Sequence, residues 1–145
     1  MKLNNKQFNA IVESVVKTIS DRYIITPKAL PIEFGLTDSK LLDLILKVVV
    51  EHYGITIEQI KSRRRALESV IPRQVYMWLA REFKTKTMSD AIIAGKVNLS
   101  RANAINQPKN LDNIIEVDKQ LYSVILMLRN DVNEKIKTHS LKSDN

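Results

Sequence analysis

Four basic side chains fall within the five residues 61–65, where together they could bind a polyanion such as a nucleic-acid backbone. They lie in the sequence KSRRR, which we call the basic segment, and are Lys61, Arg63, Arg64 and Arg65. A guanidinium group is a planar fork of donors that matches phosphate oxygens, so arginines packed this closely favour phosphate contacts. The alternative is a solvated basic loop that binds no ligand.

Three further polar residues have the chemistry that reads base edges. We predict a helix over residues 101–106 with Ser100 as its N-cap, and its first turn would then present Ser100, Arg101 and Asn103. Arginine pairs with guanine, asparagine with adenine, and a serine hydroxyl with either base. These side chains are therefore candidates for sequence-specific contacts in the major groove of DNA.

The elements that must position these residues have the order of a helix-turn-helix. A short helix is predicted over residues 88–94, with Thr87 as its cap, and a turn over residues 95–99 leads into the next helix. Lys96 and Asn98 lie in this turn and are further candidate DNA contacts. Two short helices joined by a glycine-containing turn also occur in bundles that never bind DNA, so the motif alone is weak.

The distribution of charge strengthens the DNA interpretation. The chain has 145 residues with 23 Lys+Arg and 16 Asp+Glu, which gives a net charge of +7. Residues 56–110 hold 11 basic and 4 acidic side chains, whereas residues 1–55 hold 7 and 6, and residues 111–145 hold 5 and 6. A charge that serves only solubility would be spread along the chain, so this concentration indicates a face that binds a polyanion.

The spacing of apolar residues predicts an all-α fold, a helical bundle that contains the helix-turn-helix together with an extra N-terminal helix and a long C-terminal helix. No stretch alternates polar and apolar residues for long enough to predict a strand. The predicted helices cover residues 5–24, 38–53, 57–61, a stretch from Pro72 onward, 88–94, 101–106 and 111–137. The chain would then divide into an N-terminal helix with a proline-containing linker (1–37), a DNA-binding domain (38–137) and a polar tail (138–145).

Three short motifs resemble the DNA-binding domain of the bacterial replication initiator DnaA, a helix-turn-helix of the Trp-repressor type. They are SRRR at 62–65, PRQ at 72–74 and LARE at 79–82. The resemblance extends over residues 38–137 and implies that the three arginines of the basic segment form a loop, with Arg65 entering the minor groove. It also implies that Arg73 and Gln74 contact phosphates at the start of their helix.

The chain departs from that family at two points. The family's recognition helix opens with Gly-Arg-Asp-His-Thr-Thr, whereas residues 95–101 read GKVNLSR, so we expect a DNA target other than the family's usual initiator box. The initiator also carries an ATPase module, but this chain has three glycines and no Gly-x-x-x-x-Gly-Lys loop. We therefore expect a free-standing DNA-binding domain that binds no nucleotide.

A catalytic function is not expected, and neither is a metal or another cofactor. His52 and His139 are the only histidines, there is no cysteine, and the carboxylates are scattered singly along the chain. An RNA ligand is less favoured than duplex DNA, because Trp78 and Phe83 fall on the predicted inward face of their helix and leave no displayed aromatic platform.

A helical protein-interaction or structural module is the main alternative. The last predicted helix carries apolar residues at steps of four, three and four, which is the spacing of a short coiled-coil seam. These residues are Leu121, Ile125, Leu128 and Val132. A homodimer through the N-terminal or C-terminal helix is therefore a further expectation, although an interaction role alone would not explain the charge of residues 56–110.

The sequence thus predicts a sequence-specific protein for double-stranded DNA that acts in replication initiation or its control, with transcriptional regulation left open. The basic segment would bind phosphates and the minor groove, and the helix after Ser100 would read the major groove. The chain has no signal-type stretch at its start and no apolar run that could span a membrane, so a cytoplasmic location is expected.

Overall fold

The computed structural model describes residues 6–7, 9–10, 35–62 and 67–143, without the side chains of residues 67–68 and 140–143. Between residues 35 and 143 the described residues form six helices and no strand, which confirms the predicted all-α fold. The helices are α1 (Asp38–Tyr53), α2 (Ile57–Lys61), α3 (Leu67–Glu82), α4 (Asp90–Gly95), α5 (Arg101–Val117) and α6 (Lys119–Ser143). The helix predicted over residues 5–24 lies outside the described residues except for 6–7 and 9–10, which are helical.

The first two helices begin and end where the sequence predicts, because their ends carry specific capping residues. The Thr37 hydroxyl accepts a hydrogen bond from a backbone N–H in the first turn of α1. Gly54 closes α1 with a φ of 64°, and the next N–H bonds back into the last turn as in a Schellman motif. Thr56 and Gln59 then open α2 as a capping box with two reciprocal hydrogen bonds of 2.8 and 3.1 Å.

Two prolines lie inside helices, and this corrects three predicted boundaries. Pro72 belongs to the interior of α3, and α5 continues through Pro108, which we had predicted to end it. Residues 111–117 therefore belong to α5 rather than to the last helix. A proline removes one helical hydrogen bond and crowds the preceding turn. In α5 the burial of Leu111 and Ile115 beyond the proline offsets that cost.

The core is built around α3, which packs against α1 and α5. All residues from 75 to 80 are buried, as expected for a helix enclosed on several sides. Helix α6 lies against α1, where Ile125, Leu128 and Val132 are 0%, 1% and 0% exposed. Three of the four residues of the predicted seam are therefore buried within this domain. The homodimer stays a prediction. None of the helices described is long and apolar enough to cross a membrane.

Candidate nucleic-acid interface

The first helix of the helix-turn-helix is α4, and contacts from α3 and from its own cap fix both its ends. Its N-cap is Ser89, whose Oγ accepts a hydrogen bond from a backbone N–H of the first turn at 3.2 Å. Thr87, the predicted cap, instead donates to Asp38 Oδ2 at 2.6 Å. In the last turn of α4 the Ile93 carbonyl accepts a hydrogen bond from the buried Tyr76 hydroxyl at 2.8 Å. Burial raises the pKa of Tyr76 above its ordinary value, so the hydroxyl remains a donor.

The turn of the motif is anchored in the core by Val97 and reversed by Asn98. Val97 is 1% exposed, and the backbone N–H groups of Val97 and Leu99 donate to the Ala94 carbonyl at 3.1 and 3.0 Å. Asn98 has a φ of 58°, the only left-handed conformation of a non-glycine residue in the described part of the chain. Asparagine tolerates this region better than most residues. The chain therefore reverses at Asn98, three residues after Gly95, the last residue of α4.

Arg101 is a predicted base contact at the start of the second helix of the motif. It is the first residue of α5 and is exposed. Ser100 and Asn103 bond to each other, since Asn103 Nδ2 donates to Ser100 Oγ at 3.0 Å. Asn103 Oδ1 also accepts a hydrogen bond from Gln107 Nε2 at 3.4 Å. Ser100 occupies the predicted N-cap position, but its side chain accepts no hydrogen bond from the first amides of α5.

An outward stripe of α5 continues from Arg101. Ile105 and Lys109 follow at four-residue steps, and both are exposed, Ile105 by 37%. Residues four apart are neighbours on one helix face. The stripe therefore combines a guanidinium, an apolar side chain and an ammonium group, a mixture that suits the edge of a DNA groove.

Side chains from α3 and from the turn donate hydrogen bonds to the backbone carbonyls of residues 59–62, at the end of α2 and just before the arginines of the basic segment. The last carbonyls of a helix lack backbone partners within that helix, and here three side chains supply donors to them. The hydrogen bonds are Ser69 Oγ to the Gln59 carbonyl at 3.4 Å, Arg73 Nε to Ile60 at 2.9 Å, Arg73 Nη2 to Ser62 at 2.9 Å and Asn98 Nδ2 to Lys61 at 3.3 Å. Arg63, Arg64 and Arg65 themselves lie outside the described residues.

Arg73 and Gln74 do not lie at a helix start as predicted, because α3 begins five residues before Pro72, at residue 67. Arg73 reaches back to the end of α2, and burial lowers the pKa of its guanidinium from the ordinary value. Gln74 is buried, and its Oε1 has no hydrogen-bond partner among the described residues. In this structure Arg73 therefore makes contacts within the chain, and the phosphate contacts of Arg73 and Gln74 stay predictions.

Lys96, a further candidate contact, is tied to α1. Its Nζ donates to Ser39 Oγ at 2.7 Å and to Asp43 Oδ1 at 2.8 Å. The carboxylate compensates the charge of Lys96, which weakens its attraction for a phosphate. The pair also connects the turn of the helix-turn-helix to α1.

Asp112, which the sequence analysis missed, ties the second helix of the motif to α3. Its Oδ1 accepts from Trp78 Nε1 and from Arg81 Nη2, and its Oδ2 accepts from Arg81 Nη1, all at 2.8 Å. The hydrogen bonds from Arg81 lower the pKa of Asp112, and the same contact raises the pKa of Arg81. On the other side of α3, Glu82 accepts a hydrogen bond from Arg129 of α6 at 3.3 Å. Arg81 and Glu82 of the LARE motif therefore join α3 to α5 and to α6. Their partners are 31 and 47 positions away in the sequence, so no local pattern could predict them.

The positive charge available at the surface is smaller than the sequence count implies. Four cations of residues 56–110 are committed to contacts within the chain, namely Arg73, Arg81, Lys84 and Lys96. Among the described residues of that segment, four other cations have no such side-chain contact, namely Lys61, Lys86, Arg101 and Lys109. No cluster of acidic residues and histidines in the described ranges is placed to hold a metal ion.

Comparison with known proteins finds similarity to one family in this region. Residues 42–105 match the family described as the bacterial dnaA protein helix-turn-helix, as the motifs SRRR, PRQ and LARE had indicated. The chain is 46% identical over 48 residues to the chromosomal replication initiator protein DnaA of Chloroflexus aggregans, which is 33% of this chain and 10% of that protein. The protein of the same name from Bdellovibrio bacteriovorus is 35% identical over 69 residues, 46% of this chain and 15% of the relative. The one from Treponema denticola is 29% identical over 105 residues, 70% of this chain and 22% of the relative.

The chain thus spans about a fifth or less of the length of these relatives. No solved structure matches the chain. Residues 42–105 are therefore similar to the helix-turn-helix of bacterial dnaA proteins.

Proposed function

We propose that this chain binds double-stranded DNA in a sequence-specific manner and acts in replication initiation or its control. The observation that carries the proposal is an exposed arginine, Arg101, at the start of the second helix of a DnaA-family helix-turn-helix. In this motif the second helix lies in the major groove with its N-terminal residues against base edges. The relatives are named chromosomal replication initiator proteins, which supports a role in replication initiation.

The outward stripe of α5 supplies the sequence readout. Arg101 suits a bidentate contact with guanine, and Ile105, one turn later, suits the methyl group of thymine. Lys109 lies where the helix leaves the groove and suits a phosphate. Ser100 and Asn103 reach a base only by giving up the hydrogen bond that joins them, so we rank them after Arg101.

The basic segment supplies affinity. Its three arginines and Lys61 suit phosphates, and Arg65 suits a narrow, A·T-rich minor groove. With the four committed cations set aside, at most seven basic side chains of residues 56–110 can meet phosphates. Each contact contributes about 0.9 to the dependence of log affinity on log salt, so the slope should be no steeper than about −6.

We also propose that residues 38–137 are the DNA-binding domain, with residues 1–37 and the tail 138–145 as additions to it. The chain uses no nucleotide, no metal and no catalytic group in this role. The sequence contains no phosphate-binding Gly-x-x-x-x-Gly-Lys loop, which supports the part of this proposal that concerns nucleotide. Calorimetry with ATP tests the point, and micromolar binding would overturn it.

The test of DNA binding is a selection from random duplexes at physiological salt, followed by affinity measurements on the recovered site and on random DNA. Arg101→Ala should cost about 1–3 kcal/mol on the recovered site and little on random DNA. Arg63→Ala should weaken both and reduce the salt slope by about one charge. Lys47→Ala removes the same charge from an exposed position of α1 and should change neither.

Two results would contradict the proposal. The first is wild-type protein that fails to bind duplex DNA at low salt, or whose affinity does not fall by roughly a hundredfold between about 50 and 200 mM salt. The second is an Arg101→Ala variant that loses the same affinity on both DNAs, because α5 would then not read bases.

A further inference from the structure

We infer that Asn106 is a specificity-determining residue, whose side-chain amide reads an adenine in the major groove from the second helix of the motif, α5. The inference rests on the proposed DNA binding and deepens it, because it assigns a base to a residue that the sequence analysis did not select. Arg101 keeps its proposed guanine, and Asn106 adds a second base contact to the same helix.

Asn106 lies on the side of α5 that faces away from the rest of the domain. The buried residues of this helix are Ala104, Pro108, Leu111 and Ile115. At about 100° per residue, Asn106 lies roughly opposite the middle of that buried side. Asn106 is exposed, and so is Ala102 one turn before it. The short alanine side chain leaves room for a base edge to approach the amide.

The Asn106 amide makes no hydrogen bond to the residues that the structure describes, unlike the other two amides in the first two turns of α5. Asn103 donates to Ser100 Oγ at 3.0 Å and accepts from Gln107 Nε2 at 3.4 Å. A bidentate contact with adenine needs a donor and an acceptor on one amide, for N7 and for the N6 amino group. Asn106 provides both without the loss of a bond in the domain, whereas Asn103 has to give up bonds first.

The charge around Asn106 suits the approach of a polyanion. Residues 101–110 contain two basic side chains and no carboxylate. The first acidic residue of α5 is Asp112, and Arg81 compensates its charge. An amide on this surface therefore enters a groove between phosphates without repulsion from a neighbouring carboxylate.

The position of Asn106 along α5 separates its base from that of Arg101. Five residues correspond to about 7–8 Å along the helix axis, so the two side chains suit different base pairs. Ile105, which suits the methyl group of thymine, is the neighbour of Asn106 in the sequence. The two residues together therefore favour A·T pairs in this part of the site.

Asn106→Ala tests the inference, and Asn113→Ala is its matched control. Alanine has a higher helix propensity than asparagine, so neither substitution threatens α5. Asn113 is also exposed and lies on the same side of the helix, but it comes about 10 Å farther along the axis and one turn beyond Lys109. Affinities are measured on the site that the wild-type protein selects, on copies with each base pair substituted in turn, and on random DNA.

The selected site should contain an adenine whose replacement weakens wild-type binding about tenfold, which is the effect of losing one bidentate base contact. Asn106→Ala should lose about the same factor on the selected site, and replacement of that adenine should then cost the variant no further affinity. Discrimination at the other base pairs should stay as in the wild type. Asn113→Ala should bind every duplex like the wild type, and Asn106→Ala should bind random DNA within about twofold of it.

Four outcomes would overturn the inference. The first is an Asn106→Ala variant that keeps full discrimination at every base pair. The second is an equal loss on the selected site and on random DNA, because Asn106 would then contact the DNA backbone. The third is a loss that Asn113→Ala shares, since it would come from α5 as a whole. The fourth is wild-type protein that binds no duplex, and this one alone would overturn the proposed function as well.

Discussion

Removal of the Asp112 carboxylate should cost about 2–3 kcal/mol of folding free energy, because three hydrogen bonds of 2.8 Å end on it. The bidentate pair with Arg81 joins side chains that are 38% and 43% exposed, so solvent screening limits its contribution to about 1 kcal/mol. The third bond comes from Trp78, which is 7% exposed. A buried N–H that loses its acceptor costs about 1–2 kcal/mol, and this completes the expected loss for Asp112→Ala.

The chain itself provides the probe for this measurement. Trp78 is the only tryptophan of the chain, so intrinsic fluorescence reports on the surroundings of the Trp78–Asp112 contact while urea or heat unfolds the protein. A loss of about 2–3 kcal/mol should lower Tm by roughly 10 °C in a domain of this size. Glu116→Ala is the control, because it removes an exposed carboxylate from the same helix one turn later. Its effect should stay within about 0.5 kcal/mol.

Acid should reduce the difference in stability between wild type and Asp112→Ala, because protonation of Asp112 weakens its pair with Arg81. The hydrogen bonds from Arg81 hold the pKa of Asp112 below its ordinary value in the folded state. The stabilisation is therefore complete above the pKa of the unfolded chain and is lost as the pH falls through the folded pKa. The reasoning is refuted if Asp112→Ala melts together with Glu116→Ala, or if its deficit relative to wild type stays constant at acid pH.

Three further predictions concern stability, each measured by chemical denaturation. Gly54→Ala should lower the free energy of unfolding by about 1 kcal/mol, because the φ of 64° at this position is unfavourable for alanine. Gly95→Ala should be neutral or stabilising, because Gly95 has no positive φ and a Cβ added there meets no atom within 4 Å. Equal effects of the two substitutions would contradict this account. Tyr76→Phe should cost about 1–3 kcal/mol, because the Ile93 carbonyl loses the Tyr76 hydroxyl, and an unchanged midpoint would show that water replaces that bond. Hydrogen bonds from the Thr85 and Thr87 hydroxyls lower the pKa of Asp38 in the folded protein, so the stabilisation by this carboxylate should be complete above the pKa of the unfolded chain and should vanish as the pH falls through the folded pKa. Asp38→Asn should remove this pH dependence of stability. A variant that keeps the pH dependence would contradict the assignment.

Helix ends were predictable where one side chain or one glycine determines them. Thr37 and Gly54 bound α1 because a hydroxyl accepts an orphan amide and a glycine adopts the left-handed conformation, and both effects are local. Pro72 and Pro108 misled the prediction because their local cost is real but smaller than the burial that continues beyond them. Local rules therefore predict a terminus better than they predict the continuation of a helix.

The candidate interface was predictable in kind but not in its contacts. The helix-turn-helix was predicted from residue type and spacing, and the family match supports it. The DNA contacts of the basic segment, the turn and the start of α5 stay predictions. The partners of Arg73 and Asn98 are 11 to 13 and 37 positions away in the sequence. A pattern within one helix carries no information on such pairs, so the sequence could not show that Arg73 and Asn98 bond to the end of α2.

The same side-chain chemistry suits both contacts with DNA and contacts within the domain. A guanidinium that suits a phosphate also suits backbone carbonyls at a helix end, because both present oxygen acceptors without donors of their own. In this chain Arg73 bonds to two such carbonyls, and Arg81 bonds to a carboxylate on α5. The second helix of a helix-turn-helix must be held in place by the rest of the domain. In this chain some of the basic side chains, such as Arg81, make the contacts that hold it. Among the described cations of residues 56–110, those without such a contact are Lys61, Lys86, Arg101 and Lys109. Their removal should change DNA affinity without changing stability.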